Sequence, residues 1–324
     1  MKAVLCKAWG DPETLTLETV SEPIPGAGEV LIDVKTAGVN FADTLMIQGR
    51  YQVKPPLPFI PGFEVAGIVA ALGKNVPHLS VGRRVLAFVP WGAYAEKVAA
   101  PMNSVMPIPS NMPFTDAAAF AITYGTSHLA LAHRGRLQAG ETLLVHGASG
   151  GVGLTAVELG KRLGATVIAT ASSEEKLELC RRYGADHTIN YAEDDFVSAV
   201  KDLTQGKGAD VIFDPVGGEV FSKSLRCLAW EGRLLVVGFA SGKIPNVPAN
   251  LTLVKNTAVV GVFWGAYAQH GPDALMDSMK QLTDWYKDSH LTPHISATFK
   301  LEAAAAAMRS LMNRKSTGKV VLEI

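Results

Sequence analysis

Cysteine is scarce in this chain: three residues among 324, Cys6, Cys180 and Cys227, lie far apart with no Cys-x-x-Cys pair. That excludes a disulfide framework and a cysteine-rich zinc site, and it suits a reducing cytoplasm. Neither sign of charge is in excess, since 30 Lys+Arg balance 30 Asp+Glu. Without a broad basic field or an acidic tail, nucleic acid is not the expected partner. Long apolar runs are missing too. The most apolar stretch, 117–132, is interrupted by Thr123, Tyr124, Thr126, Ser127 and His128, short of the roughly 20 apolar residues a membrane helix needs. The opening segment ends in Gly10-Asp11-Pro12, too soon for the apolar core of an export signal, so it reads as a strand and turn.

What is present points to an α/β protein of about two domains. Up to about residue 115, Pro and Gly punctuate short apolar segments at 29–34, 64–70, 84–89 and 93–99. This pattern predicts a β-rich, barrel-like domain. From Asp116 onward, strand-like runs at 142–145, 166–170, 211–213 and 234–237 alternate with helical patterns at 152–163, 174–183, 195–203 and 220–228. Such alternation predicts βαβ units around a parallel sheet. In the first of these helices Val152, Ala156, Leu159 and Leu163 form one apolar stripe for the sheet. The tail predicts a helix at 273–286, a strand at 294–299, an alanine-rich segment at 301–312 and a closing strand at 319–324.

The run 142–145 leads through His146-Gly147-Ala148-Ser149-Gly150-Gly151-Val152-Gly153 straight into the first helix. Strand, glycine turn and helix in this order suit a dinucleotide. Glycines let the backbone approach a pyrophosphate, and unpaired N–H groups at the positive helix end face its charge. Gly150 and Gly153 fill the second and third places of Gly-x-Gly-x-x-Gly, with Ala148 in the first. A second strand ends about 20 residues on, where an NAD site would place an acid against the ribose 2′-hydroxyl. Here the chain reads Ala171-Ser172-Ser173 with Lys176 nearby. The missing carboxylate favours NADPH; against it stand Glu174 and Glu175, and Ser172-x-x-Glu175 also reads as a helix capping box.

These residues, with Gly38-Val39-Asn40-Phe41-Ala42-Asp43 and Pro61-Gly62-Phe63-Glu64-Val65-Ala66-Gly67, resemble the medium-chain dehydrogenase/reductase superfamily, and within it the zinc-free quinone oxidoreductases related to zeta-crystallin. The similarity runs essentially end to end. It implies a GroES-like catalytic domain from residues 1–121 and 268–324, a doubly wound Rossmann domain at 122–267, an active site in the cleft, NADPH as reductant, and a homodimer or homotetramer. Where the zinc-dependent alcohol dehydrogenase branch has a zinc-binding Cys this chain has Asn40, and where that branch has a zinc-binding His it has Phe63. The expectation is therefore no metal.

The resemblance further implies that Asn40, Asp43, Tyr51 and Thr126 line the nicotinamide cleft. It carries Lys176, Tyr191 and Arg314 to the 2′-phosphate, and Gly238-Phe239 and Phe263-Trp264-Gly265 to the nicotinamide half. Each has a plainer reading: Tyr51 as an aromatic packed on the Pro55-Pro56 loop, Asp43 as a holder of loop geometry, Lys176 and Arg314 as solvated charges. A quinone accepts hydride readily without a Lewis acid, so an NADPH-dependent quinone reductase is the first expectation. Reduction of an activated C=C bond in an enone, alkenal or enoyl thioester is the second. An NADPH-binding protein without turnover is the third.

Overall fold

Short strands between Gly and Pro turns fill the first third of the chain. They are β1 (Lys2–Leu5), β2 (Thr16–Thr19), β3 (Glu29–Val39), β4 (Glu64–Leu72), β5 (Arg84–Phe88), β6 (Lys97–Pro101) and β7 (Val105–Pro107), with helices α1 (Phe41–Ile47) and α2 (Phe114–Ala118). This architecture comes from a computed structural model that describes residues 1–324. Two strands depart from the sequence expectation. β3 continues through Lys35 and Gly38 to Val39, because its second half pairs with β4. The strand expected at 93–99 starts only at Lys97: the N–H groups of Ala93 and Tyr94 bond the carbonyls of Gly62 and Pro61 instead of entering a ladder.

The alternating segment builds α3 (Ala121–His128), β8 (Thr142–Val145), α4 (Gly151–Arg162), β9 (Thr166–Ala171), α5 (Glu174–Arg182), β10 (His187–Asn190), α6 (Phe196–Leu203), β11 (Ala209–Asp214), α7 (Gly218–Cys227), β12 (Leu228–Val236), α8 (Ala249–Lys255), β13 (Ala258–Gly261) and α9 (Tyr267–His270). Its sheet runs in the order β10-β9-β8-β11-β12-β13, with every pair parallel. That is the doubly wound order whose ligand crevice lies where the winding reverses, at the carboxyl ends of β8 and β11. β12 opens at Leu228, ahead of the expected 234, because Leu228 already pairs with Ala209.

α4 is buried over more of its surface than one stripe. Gly153, Leu154, Thr155, Ala156, Val157, Leu159 and Gly160 are buried, whereas Val152 and Leu163, two of the four expected stripe residues, are half-buried. Gly160 rather than a branched residue meets the sheet, since a Cβ there would overlap Leu143. The small residue lets the helix approach closely.

The chain ends with α10 (Pro272–Lys287), β14 (Ile295–Lys300), α11 (Ala304–Met312) and β15 (Lys319–Glu323). β15 pairs antiparallel with β3, so a seven-stranded sheet runs β14-β15-β3-β4-β5-β7, with β6 also on β3. The chain thus forms two compact units, one of Met1–Ile122 with Met279–Ile324 and one of Thr123–Ser278. The first has its core in side chains such as Val30, Ile32, Val65, Val85 and Val320, the second in Leu144, Ile168, Ile212, Phe221 and Leu234.

Candidate active site

In the unit Thr123–Ser278 the turn after β8 is shaped by its glycines. Gly147 has φ +56°, a conformation that costs glycine little. The Ala148 N–H is spent on Thr170 O at 3.1 Å and that of Gly150 on Gly147 O at 3.0 Å. α4 then starts at Gly151 with Gly150 as its extended N-cap. The N–H groups of Gly151, Val152 and Gly153 have no carbonyl one turn earlier in the helix to bond, and they carry the positive end of the helix dipole. A Cβ on Gly153 would overlap Gly147 O, so only glycine lets the helix start fold back on the turn. Across the winding reversal, Asp214 Oδ1 at the end of β11 accepts from the N–H groups of Val216 at 2.8 Å and Gly217 at 2.9 Å. This cradle fits a pyrophosphate.

The remaining nucleotide-side residues of this unit fall around the same sheet edge, whereas Arg314 belongs to the other unit, exposed in the turn between α11 and β15. β9 ends at Ala171, whose carbonyl accepts from the Tyr191 N–H at 3.1 Å, which sets Tyr191 beside Ser172 and Ser173. The capping box expected at Ser172 does not form: Ser173 is the N-cap of α5 and makes no side-chain cap bond. Both serine side chains are left half-exposed near Lys176. Gly238 donates to Asp214 O, and the ring of Phe239 lies against Gly217. Trp264 is buried and stacks so close to Gly125 that a Cβ there would strike its ring, which brings it beside Thr126 in α3. Phe263 is exposed, Gly265 lies in the short turn that follows it, and Ser149 is buried.

In the other unit the site residues meet where β15, β3 and β4 run side by side. Asn40 follows β3 and caps α1, and Asp43 in the first turn of α1 accepts its N–H at 2.7 Å. Glu64 opens β4, opposite Gly38, and a Cβ on Gly38 would overlap the Glu64 carboxylate. Lys319 opens β15. Its ammonium donates to Glu64 Oε1 at 2.7 Å, Asn40 Oδ1 at 2.7 Å and Val39 O at 3.1 Å. Asn40 Nδ2 donates to Glu64 Oε1 at 2.9 Å, and Glu64 Oε2 accepts the Ile122 N–H at 3.0 Å. Glu64 and Lys319 are almost wholly buried, and Asn40 is 7% exposed.

A second layer of polar groups surrounds Asp43. Its Oδ2 accepts from the buried Tyr94 hydroxyl at 2.8 Å, while its Oδ1 has no hydrogen-bond partner. Burial pushes this carboxyl up to about 7. Tyr51 is half-buried, its ring edge-on to Phe63 at 5.4 Å. Burial and then the nearby Asp43 push its phenol up to about 12, so at neutral pH it is a hydrogen-bond donor.

Zinc does not fit these residues. A catalytic zinc takes three nitrogen, sulfur or carboxylate ligands, whereas Asn40 offers an amide, Phe63 nothing, and the oxygens of Asn40 and Glu64 already hold the Lys319 ammonium. The arrangement can instead donate hydrogen bonds to an acceptor oxygen. Of this cluster, sequence reasoning singled out Asn40, Asp43 and Tyr51 but not Lys319, Glu64 or Tyr94 as site residues. The available signal was the isolated lysine that opens an otherwise apolar closing strand, Lys319-Val320-Val321-Leu322.

Comparisons agree with both halves of the chain. Residues 26–110 match the alcohol dehydrogenase GroES-like domain and residues 151–282 the zinc-binding dehydrogenase domain. A quinone oxidoreductase-like protein 2 homolog from Nematostella vectensis is 42% identical over 99% of this chain and 88% of its own length. Among solved structures, the Thermus thermophilus quinone oxidoreductase, solved also with NADPH, is 35% identical with a TM-score of 0.88, covering 100% of both chains. The Escherichia coli quinone oxidoreductase, complexed with NADPH, is 28% identical with a TM-score of 0.93, again over 100% of both. With a glycine turn on a doubly wound sheet, a GroES-like unit, and close similarity over the whole chain to quinone oxidoreductase-like proteins, the chain belongs to the zinc-free quinone oxidoreductases of the medium-chain dehydrogenase/reductase superfamily.

Proposed function

We propose that this protein is an NADPH-dependent reductase that delivers hydride to a quinone. The observation that carries this reading is the Lys319–Asn40–Glu64 cluster, which replaces a Lewis acid with hydrogen-bond donors. Such a site serves an acceptor that is already electron-poor, whereas a developing alkoxide would need stronger stabilisation. NADPH, when bound, supplies the hydride.

In this reading residues 122–267 hold the nucleotide and residues 1–121 with 268–324 hold the acceptor. The N–H groups of Gly151, Val152 and Gly153, flanked by Ala148, Ser149 and Gly150, take the pyrophosphate. Ser172, Ser173, Lys176 and Tyr191 take the 2′-phosphate, a role supported by the absence of an acid at Ala171-Ser172-Ser173, where β9 ends. Thr126, Gly238, Phe239, Phe263, Trp264 and Gly265 bracket the nicotinamide. Asn40 and Tyr51 donate to the acceptor oxygen, and Asp43 keeps Asn40 at its cap. Reduction of one quinone consumes one hydride and one proton and yields a hydroquinone; in this reading Tyr51 passes that proton.

No helix is long and apolar enough to cross a membrane, and the three cysteines are unpaired and buried, which suits the cytoplasmic location we propose. The edge strand β13, together with exposed Leu253 and Val254 on α8 and exposed Ile244, supports assembly with a second copy into a homodimer or larger homo-oligomer, since open strand edges with apolar neighbours seldom stay uncovered.

A panel of 1,4-benzoquinone, 9,10-phenanthrenequinone and 2-alkenals with NADPH tests the proposal. Turnover of the quinones with little on alkenals is the expected result. Activity confined to alkenals would assign the protein to C=C reduction instead, and NADPH binding with no turnover of any acceptor would assign it a binding role.

A further inference from the structure

Lys319 has no proton to spare. An ammonium carries three N–H groups, and here they go to Val39 O, Asn40 Oδ1 and Glu64 Oε1. Whatever this buried cation does for the chemistry, it does through its neighbours. Asn40 is the neighbour nearest solvent, and its amide has two acceptor sites and two donors. The oxygen faces the ammonium at 2.7 Å, and one Nδ2–H points to Glu64 Oε1 at 2.9 Å. Turning the amide over would press its NH₂ against the ammonium and its oxygen against the carboxylate. Two repulsions would then replace two charge-assisted bonds, so the amide has one orientation. The main chain is pinned as well, through Asp43 Oδ2, which accepts the Asn40 N–H.

Once these bonds are counted, the second Nδ2–H of Asn40 is left. We propose that Lys319 is a positioning residue for hydride transfer: with Glu64 it locks the Asn40 amide so that a single N–H is held ready for the carbonyl oxygen of the acceptor. The inference rests on the reading that this unit receives the acceptor. As hydride arrives, negative charge develops on that oxygen, and a donor already aimed at it need not reorganise. An amide free to rotate would present its oxygen part of the time and repel that charge. Lysine at this place therefore does by orientation what a bound cation would do by direct polarisation.

The test is a double-mutant cycle with two readouts. Lys319→Met keeps side-chain length and removes the charge. Glu64→Gln/Lys319→Met removes both charges, so that no carboxylate is left buried alone if the single variant fails to fold. We expect either to lower kcat/KM for the best acceptor in the panel by about tenfold or more, with the NADPH dissociation constant changed by less than about twofold. In an Asn40→Ala background the same substitutions should cost almost nothing further. Full additivity, or no loss in the Asn40-containing protein, would overturn the proposal. Independently of turnover, the two protons of the Asn40 side-chain NH₂, assigned in ¹⁵N spectra by their disappearance in Asn40→Ala, should lie away from ordinary asparagine positions and exchange slowly with solvent, and in Glu64→Gln/Lys319→Met they should move to ordinary positions and exchange faster. Unchanged signals would contradict the lock even if no acceptor is turned over. Should alkenals prove to be the substrates, the quinone reading fails while the cycle, run with an alkenal, still decides this one.

Discussion

His146 follows β8 with its ring nitrogens at 3.1 Å from Thr170 Oγ1 and 2.8 Å from Ser224 Oγ, edge-on to Phe196. Burial pushes this imidazole down to about 3. The folded chain keeps it neutral while the unfolded chain takes up a proton near 6.5, so its contribution is complete above about pH 6.5 and is lost as pH falls toward 3. Asp43 has the opposite sign. Its carboxyl, raised to about 7, stays protonated in the fold where the unfolded chain ionises near 3.8, so that contribution is greatest in acid and fades as pH rises to about 7. In urea denaturation across about pH 4.5 to 6, His146→Gln should reduce the slope of unfolding free energy against pH by up to about 1.4 kcal/mol per unit, and Asp43→Asn should raise it by a similar amount. Identical slopes in wild type and variants would show that neither group is buried as described.

At the scale of elements, the turn from β8 to α4 depends on a missing side chain. Gly153→Ala puts a Cβ onto Gly147 O and must push the helix start off the turn. The expected outcome is at least a hundredfold weaker NADPH binding in a fluorescence titration, about 2.7 kcal/mol or more, while far-ultraviolet circular dichroism stays near wild type. An affinity equal to wild type would show that the turn does not carry the phosphates. This element was legible in the sequence because strand, glycines and helix are contiguous. The Lys319 cluster was not: strand pairing closes a separation of 279 residues to reach Asn40, and no local pattern reports which strand lies beside β3. Likewise α4 looked like a helix with one stripe because periodicity records apolar side chains, whereas Gly153 and Gly160 bury their backbone. α8 escaped detection because Leu251, Leu253 and Val254 stay exposed, and β13 because its two valines, Val259 and Val260, are both half-buried instead of alternating. If that face docks a second copy, Leu253→Lys should shift sedimentation from dimer or higher toward monomer, and an unchanged distribution would place the interface elsewhere.

Over the whole molecule, the proposed function requires that both halves of the chain serve one reaction: a nucleotide cradle after β8, and donors for an acceptor at the end of β3 and the heads of β4 and β15. The proposed nucleotide contact follows from Ala171-Ser172-Ser173 at the end of β9, where the carboxylate that would face a ribose 2′-hydroxyl is missing although Glu174 and Glu175 follow. Turnover efficiency with NADPH should exceed that with NADH by about tenfold or more, the size of one charge-assisted contact, and parity would remove the serines and Lys176 from the site. The most direct check of the central claim is a titration of the purified protein against NADPH, followed by the cofactor's own fluorescence. Saturable quenching or a spectral shift, abolished in Gly153→Asp, is the predicted result; no change at saturating protein would contradict the account.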